Sequence, residues 1–227
     1  MKTKYIAFGN MKGGVGKTTL NSILANYIKN NTDKSVVVLD ADDSQLSLTK
    51  LREMDEKFND EFESYPLIEV SSKDVTTFAR ENLESEVDYV IIDLPGNVNQ
   101  EGVIETYSIL DYLFVPTRLT VLDIQSSVEF ITNSVTKINN IRKELDFPEM
   151  VVTGCINNVD KRTTEYNQYK EIGSSYVTDL VPFIKTVLPS SSVFSREINT
   201  KDEFKHKTKG DLIKHFCKEV FEIINQN

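Results

Sequence analysis

A run of glycines, lysines and hydroxyl side chains near the start of the chain, residues 12–19, has the composition and spacing of a phosphate-binding loop. The glycines let the backbone approach a polyphosphate closely, so that successive N–H groups can donate to its oxygens. Lys17 supplies a point charge for the phosphates, and the hydroxyl of Thr18 can bind Mg²⁺. The residues predicted to bind the nucleotide in this loop are Gly13, Gly14, Val15, Gly16, Lys17, Thr18 and Thr19.

Two regular elements must hold this loop in place. Tyr5–Phe8 is a short apolar run that is typical of a buried strand. Between Leu20 and Ile28, apolar residues recur at intervals of three and four, which predicts an amphipathic helix. The loop therefore joins the end of a strand to the N-terminus of a helix, and this is the usual setting of a phosphate site.

Carboxylates follow the second predicted strand. The β-branched run Ser35–Leu39 precedes an acidic segment, Asp40–Gln45, which leaves the sheet edge at which open α/β folds bind their ligands. A Mg²⁺-nucleotide site needs a carboxylate that holds a metal-bound water or orients the attacking water, and Asp42 is the candidate. The alternative is that Asp42, or its neighbour Asp43 or Ser44, only caps the following helix.

The loop departs from the standard phosphate-binding pattern at its start. That pattern has glycine five residues before Gly16, where this chain has Met11, and a second lysine, Lys12, comes next. One loop cannot easily aim two ammonium groups at one set of phosphates, so the alternative for Lys12 is a solvated surface position. The string Asn10–Thr19 resembles the deviant Walker A motif of the ParA/MinD family of P-loop ATPases. The resemblance implies that Lys12 reaches across a dimer to the nucleotide of the other subunit.

The same resemblance implies roles for residues further along the chain. Asp42 matches the second aspartate of the family's Asp-x-Asp-Pro-Gln segment, although Asp43 and Ser44 stand here where one proline is usual. The apolar strand ending at Asp93 resembles a Walker B strand, so Asp93 would bind Mg²⁺ through water; the alternative is a turn residue. The implied catalytic residues are Lys12, Lys17 and Asp42, and the implied metal site consists of Thr18, Asp42 and Asp93.

The adenine site is expected after a later strand, Met150–Asn158. Related ATPases place an asparagine on the base from a strand that resembles Gly-x-Ile-x-Asn, and this role carries over onto Asn158. Asn157 is the alternative, and both asparagines could instead simply turn the chain. Pro189 lies in the region where relatives wrap a loop over the adenine.

The whole chain has 227 residues, of which 39% are hydrophobic, so it can bury a sizeable core. The simplest organisation is a single ParA-like P-loop ATPase domain over residues 1–227. Because predicted strands alternate with helices, the predicted fold class is α/β, a doubly wound, mainly parallel sheet with helices on both faces in a three-layer sandwich. Cys155 and Cys217 form no Cys-x-x-Cys pair, which suits a reducing cytoplasm, and no segment suggests export or a membrane.

The remaining elements follow from shorter patterns. Asp160–Arg162 resembles the Asp-x-Arg segment of partition ATPases, and Thr163 or Thr164 is expected to cap the next helix. Val177–Ile184, which contains Pro182, is expected to form a last edge strand. The other predicted strands are Leu67–Val70 and Tyr112–Pro116, and the other predicted helices are Lys73–Leu83, Val121–Ile141 and Asp211–Ile224.

Charge is unevenly distributed in a chain whose net charge is −9. Residues 40–105 contain 18 acidic and 5 basic side chains, whereas residues 201–218 contain 6 basic and 3 acidic ones. The overall charge argues against a uniformly basic nucleic-acid binder, but it allows a local basic patch. Such a patch would contact DNA phosphates without reading sequence, or it would simply be a solvated surface. The candidate DNA-binding residues are Arg162, Lys185, Arg196, Lys205, Lys207 and Lys209.

These features predict a cytoplasmic nucleotide-binding protein that uses Mg²⁺, and the resemblance implies an ATPase that forms a homodimer when ATP binds. The resemblance implies a role in DNA partition or mobile-element maintenance. The dimer would bind non-specific DNA, placing it at the nucleoid, and a ParB-like or other partner would stimulate its slow hydrolysis. Two alternatives remain: a metabolic or metal-carrier P-loop enzyme of the same fold, and a nucleotide-binding adaptor without turnover. The missing cysteine pair counts against the metal carrier.

Overall fold

The computed structural model describes residues 2–43, 45–58, 64–144, 146–190, 200 and 207–226, with the backbone alone described at residues 58 and 207–209. Its centre is a parallel sheet of six strands in the order β3-β2-β4-β1-β5-β6. The chain extends the sheet from β1 first to one side and then to the other, so the strand order reverses at β1. The strands are β1 Lys4–Phe8, β2 Val36–Asp40, β3 Leu67–Glu69, β4 Tyr89–Asp93, β5 Tyr112–Thr117 and β6 Val151–Ile156.

Helices cover both faces of the sheet because the strand side chains alternate between two cores. Ile6 and Phe8 pack into one core, whereas Tyr5 and Ala7 pack into the other. Strands β2, β4 and β5 are buried along their whole length, as expected for a parallel sheet between two helical layers. The α-helices are α1 Lys17–Asn31, α2 Ser47–Phe58, α3 Val75–Asn82, α4 Val103–Ile109, α5 Val121–Phe130, α6 Thr136–Glu144, α7 Thr164–Ile172 and α8 Lys207–Asn225.

The expected edge strand Val177–Ile184 was wrong. This segment runs beside β6 and exchanges isolated backbone hydrogen bonds with Gly154, but it forms no strand. Pro182 explains part of this result, because proline has no N–H to donate to a ladder. A Cβ at Gly154 would lie 2.4 Å from the ring of Phe183, so a larger residue there would force that ring to move. The edge of β6 is thus covered by irregular chain.

Two helical expectations also need correction. The single helix expected over Val121–Ile141 is divided between α5 and α6 by a π-helical turn, Ile131–Val135. Helix α4, which packs on α3 and α6, was not predicted because its seven residues are too short to show a clear period. Thr163 was correctly expected as a cap, since its side chain accepts from the N–H of Tyr166.

Among the described residues, the structure contains no helix with the length and apolar character needed to cross a membrane.

Candidate functional site

The phosphate loop has a backbone that only glycine adopts easily. Gly14 and Gly16 have φ values of +73° and +96°, in the left-handed region that disfavours residues with a Cβ. At Gly16 a Cβ would also lie 2.4 Å from the side-chain nitrogen of Asn157. Helix α1 begins at Lys17 without a side-chain cap and without an acidic residue in its first turn. Its first N–H groups are therefore available to an anion.

A cavity of about 760 Å³ opens over this helix terminus. It brings together the phosphate loop, the segment after β2 and the segment after β4, which lie at the carboxyl ends of neighbouring strands. The described residues that line it are Met11, Gly13, Gly14, Gly16, Lys17, Thr18, Thr19, Asp42, Gln45, Leu94, Pro95, Gly96, Asn97, Val98, Asn99 and Gln100. The predicted Lys17, Thr18 and Asp42 thus share one cavity, whereas neither Lys12 nor the predicted Asp93 is among the described residues that line it.

Asp93 is fully buried at the end of β4. Its Oδ1 accepts a hydrogen bond of 2.8 Å from the amide of Asn21, while its Oδ2 has no partner among the described residues. Burial raises the pKa of Asp93 to about 7, and the charge of Asp40 raises it further. The hydroxyl of Thr18, the amide of Asn21 and the charge of Lys17 lower this pKa, but by less. The cost of burying this carboxylate therefore outweighs the compensation that Lys17 and the hydrogen-bond donors around it provide.

Asp40 is a second buried carboxylate at the same edge, and the sequence did not single it out. It pairs in register with Asp93 on the neighbouring strand. Its Oδ2 accepts from the N–H and the hydroxyl of Thr49, each at 2.9 Å, but its Oδ1 has no partner among the described residues. Two unpaired buried carboxylate oxygens, together with the nearby hydroxyl of Thr18, are the hard oxygen ligands that suit Mg²⁺.

Lys17 lies between the phosphate loop and the segment after β4. Burial lowers the pKa of its ammonium, and the charges of Asp93 and Asp42 raise it in opposition. A Cβ placed on Gly96 would lie 3.3 Å from the Lys17 Nζ, so the ammonium is close to that backbone. The lysine can therefore contact both a phosphate and the loop after β4.

Lys12 lies toward helix α5. Its backbone N–H donates to the Asn10 side chain at 3.0 Å, and Asn10 is itself fixed by the carbonyl of Pro116. Although burial raises the pKa of Asp123, hydrogen bonds from Arg118 and the positive charges of Arg118 and Lys12 lower it overall. The charge of Lys12 thus acts on Asp123 of α5, and Lys12 is not among the described residues that line the cavity.

The two candidate adenine residues have different environments. The side-chain nitrogen of Asn157 donates to the carbonyl of Val15 at 2.8 Å, so this amide holds the phosphate loop. Asn158 is exposed, with φ at +56°, and Pro189 lies nearby in a backbone bridge with Val159. Sequence reasoning missed the roles of Asn157 and Asn21, although a buried asparagine on an otherwise apolar helix face was a signal for the latter.

The candidate DNA-binding residues lie in several places. Arg162 forms a bidentate ion pair with Asp160, at 2.9 and 2.7 Å, so its charge is partly compensated. Lys185 is exposed after Ile184. Lys207 and Lys209 belong to the first turn of α8, and Arg196 and Lys205 lie outside the described residues.

Comparison with known families gives a match over most of the chain. The family described as the CobQ/CobB/MinD/ParA nucleotide binding domain (CbiA) matches residues 6–204. The chain belongs to this family. The resemblance to ParA/MinD ATPases that rests on residues 10–19 is therefore confirmed. Comparison with curated protein sequences gives no significant match.

Several solved structures share the fold over nearly their whole length. A plasmid partition protein from Borrelia burgdorferi B31 bound to AMPPNP is 16% identical, with a TM-score of 0.66, covering 98% of this chain and 100% of that one. The pNOB8 ParA bound to nonspecific DNA is 18% identical, with a TM-score of 0.67 and coverage of 99% and 100%. An ATP complex of Cyanothece McdA is 16% identical, with a TM-score of 0.67 and coverage of 100% and 98%. These similarities confirm the predicted fold class.

Proposed function

We propose that this chain is an ATPase switch that dimerises when it binds ATP and that acts as a single domain over residues 1–227. The position of Lys12 carries the proposal. Lys17, Thr18 and Asp42 line the cavity, while the other lysine of the motif does not. A lysine of the motif that does not line the cavity of its own subunit is suited to serve the site of a second subunit, as the family resemblance implies.

The nucleotide and metal sites follow from the cavity. The phosphates of ATP would lie on the amides of the phosphate loop and on Lys17, with the adenine near Asn158 and Pro189. Thr18 and the water shell of Asp93 would hold Mg²⁺, whose positive charge would compensate the two buried carboxylates. When bound, Mg²⁺ neutralises charge that develops on the transferred phosphoryl group.

The protein side chains would contribute position and charge to hydrolysis. Asp42 would orient the attacking water, and Lys17 would neutralise the γ-phosphate from within the subunit. Lys12 of the second subunit would add a further positive charge when the dimer closes. Because this charge arrives only with the partner, turnover by an isolated subunit should be slow.

We further propose that the ATP-bound dimer binds DNA without sequence preference at the nucleoid, and that a ParB-like or other partner stimulates release. Similarity to a ParA bound to nonspecific DNA supports this role. The candidate contacts are Arg162, Lys185, Arg196, Lys205, Lys207 and Lys209. A role in DNA partition or mobile-element maintenance would follow.

The test measures ATP hydrolysis with and without plasmid DNA, and it measures retention of the protein on that DNA at two salt concentrations. We expect slow hydrolysis and DNA retention that requires ATP and weakens with salt. A protein that binds ATP without turnover would be an adaptor. Hydrolysis that requires a small-molecule substrate and ignores DNA would indicate a metabolic enzyme of the same fold.

A further inference from the structure

The carboxylate of Asp43 is held by four short contacts although the residue is on the surface. Its two oxygens accept from the backbone N–H of Ser72, at 3.1 and 3.2 Å, and Oδ2 lies 2.8 Å from the Ser72 hydroxyl. The side-chain amide of Gln100 donates to the same oxygen at 2.9 Å. One aspartate therefore joins the segments that follow β2, β3 and β4.

Ser72 stands at the centre of these contacts. It is 2% exposed, and its Oγ is also 2.8 Å from the carbonyl of Glu101 and 3.1 Å from the amide nitrogen of Gln100. Gln100 has two amide hydrogens, so it can donate to Asp43 and to Ser72 at once. The resulting network of Asp43, Ser72 and Gln100 is a closed set of hydrogen bonds between three loops.

Backbone packing reinforces the network at Gly102. This residue has a φ of +83°, and a Cβ there would lie 2.3 Å from the Cα of Lys73 and from the carbonyl oxygen of Ser72. Such distances are too short for any side chain, so only glycine allows the two loops to approach this closely. The loop after β4 is thus packed directly against the loop after β3.

Both ends of this network reach the nucleotide cavity. Asp42, the neighbour of Asp43, lines the cavity, and so does Gln100. On the proposed function, Asp42 must be placed accurately on the attacking water, while residues 94–100 follow Asp93 at the metal end of the site. A movement of either segment would be transmitted to the other through Asp43.

We propose that Asp43 is a positioning residue that couples the loop carrying Asp42 to the loop of residues 97–102, through Ser72 and Gln100. The coupling depends on the carboxylate of Asp43, which accepts from both Ser72 and Gln100. Asp43 is not among the described residues that line the cavity, and no contact with ATP or with the attacking water is assigned to it. It acts by fixing the position of its neighbour relative to the loop after β4.

A first experiment measures amide hydrogen exchange over residues 97–102 in the nucleotide-free protein. Asp43→Ala should speed exchange in this loop by about fivefold or more, since it removes acceptors on which the loop depends. Glu171→Ala, on the exposed surface of α7, is the matched control and should leave exchange there unchanged. Equal exchange rates in Asp43→Ala and the wild type would overturn the coupling. This measurement does not depend on hydrolysis, so it decides the coupling even if the wild type proves inactive and the proposed function fails.

A second experiment measures kcat and the ATP dissociation constant. Asp43→Ala and Gln100→Ala should each lower kcat by about tenfold, with less than about a threefold change in ATP affinity, because the defect is in positioning. The double variant should be little worse than either single one. Independent, multiplying losses, or unchanged kcat values, would contradict the coupling.

A pair of conservative variants separates positioning from a general loss of stability. Gln100→Glu sets a carboxylate against Asp43 and should reduce kcat as strongly as Asp43→Ala does. Adding Asp43→Asn to that variant supplies an amide that can donate to the new carboxylate, and should restore at least half of the lost activity. Failure of the second change to restore activity would count against the coupling.

Discussion

Replacing Asp93 by asparagine should stabilise the nucleotide-free protein, and the gain should increase with pH. In the folded protein, burial raises the pKa of this carboxyl from 3.8 to about 7. A raised acid pKa means that ionisation destabilises the fold, so the penalty begins near pH 4 and is complete above about pH 7. A difference of about three pKa units, at about 1.4 kcal/mol each, gives an upper value of about 4 kcal/mol.

The assay is urea unfolding of the wild type and Asp93→Asn between pH 5 and pH 8, without nucleotide or Mg²⁺. Asp88→Asn is the control of opposite sign, because bonds from Ser35 and the charge of Lys34 outweigh burial and lower the pKa of Asp88. That variant should be less stable than the wild type by a constant amount throughout this pH range, because the lowered pKa of Asp88 keeps its carboxylate ionised there. An Asp93→Asn protein that is equally or less stable than the wild type at pH 8 would refute the conclusion that burial of the ionised carboxylate destabilises the fold.

Two further predictions concern binding. Asn157→Ala should weaken ATP binding several-fold and cost about 1 kcal/mol of stability, because it removes the hydrogen bond that holds the phosphate loop. Asn158→Ala should instead reduce the preference for ATP over GTP. Equal effects of the two variants in a nucleotide competition assay would contradict the assignment. Joint replacement of Lys205, Lys207 and Lys209 by glutamate should weaken DNA retention and flatten its salt dependence while ATP binding is kept. Unchanged retention would move the DNA surface elsewhere.

The sheet and the phosphate loop could be predicted because their signals are local. The β-branched run Val36–Leu39 is too short for a helix and favours a buried strand, and the glycine spacing indicates the loop. Because the carboxyl ends of parallel strands lie at the same edge of a sheet, Asp42 and Asp93, which lie at or after the ends of two predicted strands, are expected at one edge. For these parts of the molecule, nearby residues determine the structure.

The missed features depend on contacts between distant segments. Asn157 and Asn158 are adjacent in sequence, and only the turn of the backbone decides that Asn157 faces Val15. The unpaired oxygen of Asp40 depends on its pairing with β4, and the bonds of Asp43 depend on two other loops. Sequence patterns give the order of such residues but not the direction of their side chains.

The central claim is that Lys12 completes the site of a second subunit, and the mass of the protein in solution tests it most directly. Asp42→Ala should slow hydrolysis and preserve the ATP-bound state, so its mass by size-exclusion chromatography with light scattering should be that of a dimer with ATP and a monomer with ADP. Adding Lys12→Ala should return the ATP-bound protein to a monomer while ATP binding persists, whereas Lys17→Ala should abolish ATP binding itself. A dimer that forms equally well without Lys12, or a loss of ATP binding as severe as that of Lys17→Ala, would contradict the claim.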